Sequence, residues 1–177
     1  VLNGGLHQHD AIAQQAQSDA SGAFAAFAGL SSTSDLTGSD LGSVGVLTPG
    51  VYSFTSSAQL TGDPTLDFLG DPNGVFVFQI GTSLVTASNA NVFVLNGGPA
   101  SGVYWDVGSS ATLGSGTTFA GNILADQSVT LVTGARILCG RAIALFGAGS
   151  MDNICGSNDC AGAGEYASER GNFGNRG

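Results

Sequence analysis

Three carboxylates, Asp63, Asp67 and Asp71, recur at four-residue spacing. Such a series could supply an acid/base pair or the oxygen ligands of a calcium loop. Asp63 and Asp71 each precede a proline, however, where an Asp side chain serves a turn by accepting a hydrogen bond from the backbone just downstream. Turn chemistry is the expectation. His7, His9 and Asp10 together offer metal ligands, but they stand at the start of a helix with no further strong ligand close in sequence, so capping and solvation account for them. Tyr52, Phe78 and Trp105 could stack on a sugar. Each begins or ends an apolar repeat, which assigns them to a core. No nucleophile elbow, Walker loop, dinucleotide fingerprint or zinc-hydrolase helix occurs, so the chain is expected to be no enzyme and to use no cofactor or metal.

Cys139, Cys155 and Cys160 form an odd set near the C-terminus, too unevenly spaced for a four-ligand zinc site. Cys139 and Cys155 are expected to pair as a disulfide, because the sixteen residues separating them nearly match one turn of a repeating coil. At 177 residues the chain is the size of one domain. Four Arg and no Lys oppose 13 acidic residues, and the net charge of −9 makes nucleic acid and anionic membrane poor partners. Only 10% of residues are charged and mean hydropathy is +0.24, yet no apolar run reaches the length of a membrane span, so membrane insertion is not expected. The 29 glycines against 4 prolines point to many tight turns between short segments. No Asn-x-Ser/Thr sequon occurs. The chain opens on Val-Leu-Asn-Gly-Gly with neither initiator Met nor signal peptide, so a mature, truncated or incomplete start is expected and export is inferred indirectly.

The elements are set by periodicity. Residues 10–28 read as one helix, with Asp10 as N-cap, Gly29 past the end, and a narrow apolar stripe of Ile12, Ala16, Ala20, Ala23 and Phe27. Residues 31–46 read as a loop. Thereafter the period is two. Five segments open with Gly and run into apolar residues, at Gly50, Gly74, Gly102, Gly121 and Gly140. A second series lies at 58–61, 83–86, 111–113 and 129–131, and a third at 65–68, 91–94, 117–119 and 135–137. Stacked copies of so short a repeat share one interior, and three strands per turn predict a mainly β, three-sided solenoid with the helix along one face. The insertions at 70–74 and 96–101 have turn composition and are expected to bulge at corners without disturbing the stack.

Asn3-Gly-Gly-Leu-His7, Leu47-Thr-Pro-Gly-Val-Tyr-Ser-Phe54, Gly70-Asp-Pro-Asn-Gly-Val-Phe-Val-Phe-Gln-Ile80, Val107-Gly-Ser-Ser-Ala-Thr-Leu-Gly114 and Phe119-Ala-Gly-Asn-Ile-Leu124, with Ala58-Gln-Leu-Thr-Gly62, resemble successive signatures of the microbial ice-binding (antifreeze) protein family. The resemblance covers about residues 2–154. It implies a right-handed β-solenoid with a flanking helix, and a flat, helix-free face that carries Thr, Ser, Ala, Gly and Asn. Thr86-Ala-Ser-Asn89 matches a corner pattern of some members in full, whereas Thr61-Gly-Asp-Pro64 and Thr133-Gly-Ala-Arg136 depart from it by placing Asp63 and Arg136 there. It also implies several tens of residues before the helix that this sequence does not contain. The expected division is a solenoid domain over 1–155 and a polar, Gly-rich tail over 156–177.

The expected function is a secreted or cell-surface, non-enzymatic protein that adsorbs to ice through Thr61, Ser83, Thr86, Ser88, Thr112, Ser128 and Thr130. Two alternatives stand beside it. Open coil ends invite end-to-end stacking into a homo-oligomer, filament or surface layer, and exposed aromatics would suit a carbohydrate-binding adhesin.

Overall fold

In the computed structural model, residues 10–98 and 100–152 are described, together with the backbone of Cys155–Ser157. His7, His9 and the tail beyond Ser157 lie outside the described residues. Helix α1 (Ala11–Ala28) begins where the Asp10 carboxylate accepts a 2.9 Å hydrogen bond from the Ala13 N–H, and it ends at Gly29. Asp10→Ala removes that cap and is expected to lower the unfolding free energy by about 1 kcal/mol, measured by denaturant melts.

The buried stripe differs from the expected one. Ala20 is buried and Ala13, Ala23, Phe24 and Phe27 are half-buried, but Ile12 is 61% exposed and Ala16 is exposed. The large rings set the rotation: Phe27 packs on Tyr104 with centroids 4.7 Å apart, and Phe24 lies one turn before it at helical spacing, on the same sheet-facing side.

The stretch read as a loop holds β1 (Ser34–Asp35), a 3-10 turn (Leu41–Ser43) and the start of β2 (Val46–Leu47). Then come five coils. The first two are β3 (Gly50–Phe54), β4 (Ala58–Leu60) and β5 (Thr65–Asp67), then β6 (Val75–Ile80), β7 (Leu84–Thr86) and β8 (Phe93–Leu95). The third is β9 (Gly102–Val107), β10 (Ala111–Leu113) and β11 (Thr118–Ala120), and the fourth is β12 (Asn122–Ala125), β13 (Val129–Leu131) and β14 (Arg136–Leu138). The fifth is β15 (Ala142–Ala144), β16 (Gly149–Met151) and β17 (Cys155–Ser157). Every ladder is parallel, coil on coil. The helix covers a six-stranded sheet in the order β1-β3-β6-β9-β12-β15, and a second face is the five-stranded sheet β16-β13-β10-β7-β4. The molecule is a three-sided β-solenoid.

The third face is split into β2-β5-β8 and β11-β14-β17, joined by one isolated bridge between Asn91 and Thr118. The insertion after β8 therefore does disturb the stack, contrary to expectation: Asn96 takes a left-handed φ of 54° and carries the coil outward just where β11 below turns its corner. Glycine makes the lower corners possible. A Cβ on Gly121, whose φ is +98°, would lie 2.7 Å from the Val103 carbonyl oxygen, and one on Gly140 would lie 1.8 Å from the Gly121 oxygen.

The interior is an aromatic ladder. Tyr52 stacks on Phe78 at 5.4 Å and Phe78 on Trp105 at 4.0 Å, and Trp105 meets Phe119 at a 48° tilt with centroids 4.7 Å apart. All four rings are buried, so the three aromatics considered as a sugar platform form the core. Outside this ladder, Gln79 Nε2 donates to the Phe27 and Leu30 carbonyls at 2.7 and 2.8 Å, tying the end of the helix to the sheet. Gln17 Nε2 donates to the Leu145 carbonyl toward the other end. Asp106 lies in the same outward row as Gln79 and Leu124 and is buried beneath the helix.

Cys139 is disulfide-bonded. The expected partner, Cys155, has its side chain outside the described residues, but its backbone pairs opposite Arg136.

Candidate functional site

The five-stranded face is built by alternation. Along each strand, Ala58 and Leu60, Ala111 and Leu113, and Val129 and Leu131 turn into the core, and the residue between points out. Register places Gln59, Val85, Thr112, Thr130 and Ser150 in one outward row. Neighbours in the row are about 4.8 Å apart, and the outward positions two residues away along a strand are about 6.6 Å off. One such flanking row is Ser57, Ser83, Ser110 and Ser128, in which the Ser128 hydroxyl donates to Ser110 Oγ at 2.9 Å. The other is Thr61, Ala87, Gly114 and Val132. None of these side chains is ionisable, and carboxylates stand only at the ends of the rows: Asp40, bridged to Gln59, and exposed Asp152, two residues after Ser150.

The expected site residues divide accordingly. Thr112 and Thr130 are adjacent in the central row, Ser83 and Ser128 belong to the serine row, and Thr61 lies on the opposite margin, where its hydroxyl donates to Asp40 at 2.8 Å. Ser88 is exposed in the corner turn after β7, off the flat rows. Thr86 is a correction. It occupies an inward position, is 4% exposed, and its hydroxyl lies 2.9 Å from Thr117 Oγ1 and accepts from the Gly114 N–H at 2.9 Å. The Thr117 hydroxyl also lies within hydrogen-bonding distance of the Ala87 carbonyl, at 3.0 Å. Thr86 thus fastens one corner of a coil to the next. Thr86→Val strands the Gly114 N–H and is expected to lower the unfolding free energy by about 1 to 3 kcal/mol while leaving the outer face intact, read by parallel melts and activity assays.

The charges that seemed to mark the face lie elsewhere. Asp63 sits at the following corner and accepts from the Asn91 N–H at 2.8 Å and its amide at 3.0 Å, and Arg136 is on β14 of the third face. The other two carboxylates of the series are turn residues. Asp71 accepts from the Asn73 N–H at 2.9 Å; Asp67 accepts from the Asn96 amide at 2.7 Å and the Leu69 N–H at 2.8 Å, and these bonds hold its carboxyl below the usual carboxylate range. Among the described residues no cluster of three or more His, Cys, Asp or Glu side chains is placed to hold a metal, and no helix is long and apolar enough to cross a membrane.

Gln59, Val85, Ser150, Ser57 and Ser110 complete the face and were missed. Selecting by hydroxyl type passed over Val85, whose branched shape matches Thr112 beside it. The phase of each strand, outward at every second residue, was the signal that would have found them. A separate open groove of about 380 Å³ runs along the edge between the helix face and the third face, past Phe68, Val94, Tyr104, Asn122 and Arg141. It presents no acid/base pair.

The chain is thus a three-sided solenoid with one flat face on which a regular parallel backbone sets the spacing of small, mostly uncharged side chains. The chain belongs to the ice-binding-like family, whose model matches residues 1–155. It is 56% identical over 160 residues to the ice-binding protein of Nostoc sp. (strain HG1), covering 90% of this chain and 59% of that protein. It is 39% identical over 93 residues to ice-binding protein 1 of Shewanella frigidimarina, covering 51% of this chain and 10% of that one. Among solved structures, the ice-binding protein of the Antarctic ascomycete Antarctomyces psychrotrophicus superposes with a TM-score of 0.78 at 36% identity, covering 87% of this chain and 74% of that one. The chain thus spans less than two thirds of the length of these two sequence relatives.

Proposed function

We propose that this chain binds ice through its five-stranded face, without catalysis. The observation that carries the reading is the in-register central row Gln59, Val85, Thr112, Thr130 and Ser150 with its serine flank, which is free of charge between Asp40, bridged to Gln59 at one end, and Asp152, two residues beyond Ser150 at the other. Methyl groups of Val85, Thr112 and Thr130 leave water next to them without a protein hydrogen-bond partner, so that water bonds to its own neighbours. The hydroxyls beside them tie the same layer to the protein. Because parallel ladders fix the row spacing, the layer is ordered before it meets a crystal, and ordering it there costs little entropy. A Lys or Asp in the row would bind water too strongly to permit this.

Thermal hysteresis and inhibition of ice recrystallisation test the reading, and absence of both at high protein concentration would reject it. Thr130→Tyr is expected to cut activity several-fold with stability changed by no more than about 0.5 kcal/mol. Unchanged activity would mean that another face meets the ice. Secretion belongs to the same proposal, since ice forms outside cells and the Cys139 disulfide requires an oxidising compartment.

One observation favours self-association as a second reading. Among the described residues, β15 and β16 have no strand on their outer side, and Phe146 and Met151 nearby are 76% and 55% exposed. The opposite end is covered, with Leu41 of the 3-10 turn fully buried and Asp40 bridged to Gln59. Sedimentation velocity checks this: a concentration-dependent increase in mass supports it, and a monomer at all concentrations removes it.

A further inference from the structure

Asn73-Gly74 and Asn96-Gly97 lie in the two corner insertions. An Asn followed by Gly can cyclise, because the glycine nitrogen attacks the side-chain Cγ and no Cβ on that residue obstructs the approach. Asn89, Asn91 and Asn122 instead precede Ala90, Val92 and Ile123, all of them buried. The structure separates the two Asn-Gly pairs. At the first, Gly74 is buried, its N–H donates to the Asp71 carbonyl at 3.3 Å, and the Asn73 N–H donates to the Asp71 carboxylate at 2.9 Å. The attacking nitrogen there is engaged and enclosed. At the second, Asn96 and Gly97 are both exposed, and among the described residues the Gly97 N–H meets no hydrogen-bond acceptor. The Asn96 side chain is held by one bond, 2.7 Å from its amide to the Asp67 carboxylate, and that bond is open to water, which competes for both partners.

We infer that Asn96 is a site of spontaneous deamidation in the folded protein. The Gly97 nitrogen gives its proton to solvent base and bonds to Asn96 Cγ, the Cγ–Nδ2 bond breaks, and the amide nitrogen takes a proton from water and leaves as ammonia. Water then opens the cyclic imide at one of its two carbonyls, which yields an aspartate or an isoaspartate with no change of oxidation state. Either product replaces the donor to Asp67 with a second carboxylate, and two like charges so close repel. Isoaspartate also adds a methylene to the backbone between β8 and β9. The chain just beyond is tightly packed: a Cβ on Gly98 would lie 2.7 Å from the Pro72 Cα, so the lengthened segment shifts against the other insertion. β8 belongs to the third face, and the rows of the five-stranded face are left as they were.

Folded protein and urea-unfolded protein, aged side by side at mildly alkaline pH and then cleaved after Phe, Leu and Tyr, test the assignment. Cleavage puts Asn73 in residues 70–76 and Asn96 in residues 96–104, and the amide-to-acid mass change is followed in both peptides, with isoaspartate told from aspartate by its separate elution. In the unfolded chain the two sites are expected to convert at similar rates, since each is an Asn-Gly pair. In the folded chain Asn96 is expected to convert at least several-fold faster than Asn73. Equal rates in the folded protein, a faster Asn73, or an Asn96 that stays an amide once the unfolded chain has converted would overturn the inference. Gly97→Ala is expected to slow conversion at Asn96 several-fold and to leave Asn73 unchanged. An unaltered rate at Asn96 in that variant overturns it as well, because the Gly97 nitrogen would then not be the attacking group.

Discussion

Trp105→Ala is expected to lower the unfolding free energy by about 3 to 5 kcal/mol, measured by urea melts followed by circular dichroism. Trp105 is fully buried in the third coil, and its ring lies between Phe78 of the coil above and Phe119 of its own coil, at 4.0 and 4.7 Å. Alanine removes both ring contacts. The indole N–H donates to the Ala120 carbonyl at 2.9 Å, and its loss leaves that acceptor unsatisfied at a corner already opened by the split third face. Trp105→Phe keeps most of the stacking and is expected to cost only about 1 to 3 kcal/mol. A solenoid transmits stability from neighbour to neighbour, so damage at the middle coil uncouples the ends. A broadened or two-step transition in the alanine variant is the accompanying signature. A loss below about 1 kcal/mol would show that the ladder is not what holds the coils together.

The coil architecture was legible because each strand is specified locally. Gly50, Gly102, Gly121 and Gly140 stand at strand starts or at the corners just before them, and the apolar alternation after them puts Tyr52, Trp105 and Ile123 in the core. The helix bounds were legible for a similar reason, since Asp10 and Gly29 are signals that act within one turn. The features that escaped depend on distance through space. The rotation of the helix is set by Phe27 meeting Tyr104, residues far apart in sequence. Thr86 has the same residue type as Thr112 and Thr130, yet it falls on an inward position, and only the register that aligns it with buried Leu60 distinguishes it. The break in the third face requires knowing that the coil above runs wide where the coil below turns. Strand register likewise moved Asp63 and Arg136 off the candidate face.

Raising the pH from about 4 to above 6 is expected to destabilise the protein through Asp106 by about 3 kcal/mol, the free energy that separates a carboxyl pKa of about 6 in the fold from the ordinary 3.8. Asp106 points outward from β9 but is only 4% exposed, because the helix lies over its row, and its Oδ1 has no hydrogen-bond partner. Burial alone pushes the carboxyl up, since no cation or donor there favours the charged form. Below 3.8 the group is protonated in the folded and unfolded chain alike, and the full stability is present. As pH rises toward 6 the unfolded chain ionises first, and stability falls until the folded form ionises too, after which the profile is level. Asp35 and Asp67 act in the opposite sense. Their carboxyls are held below the usual value by the hydroxyl and N–H of Thr37 and by the Asn96 amide with the Leu69 N–H, so their contribution is present above 3.8 and lost as pH falls. Asp106→Asn separates the two effects, because it abolishes only the decline toward neutral pH. Urea melts from pH 3 to 8 are expected to show that decline in the wild-type chain and not in the variant. Parallel profiles for the two proteins would mean that Asp106 reaches water as the helix opens.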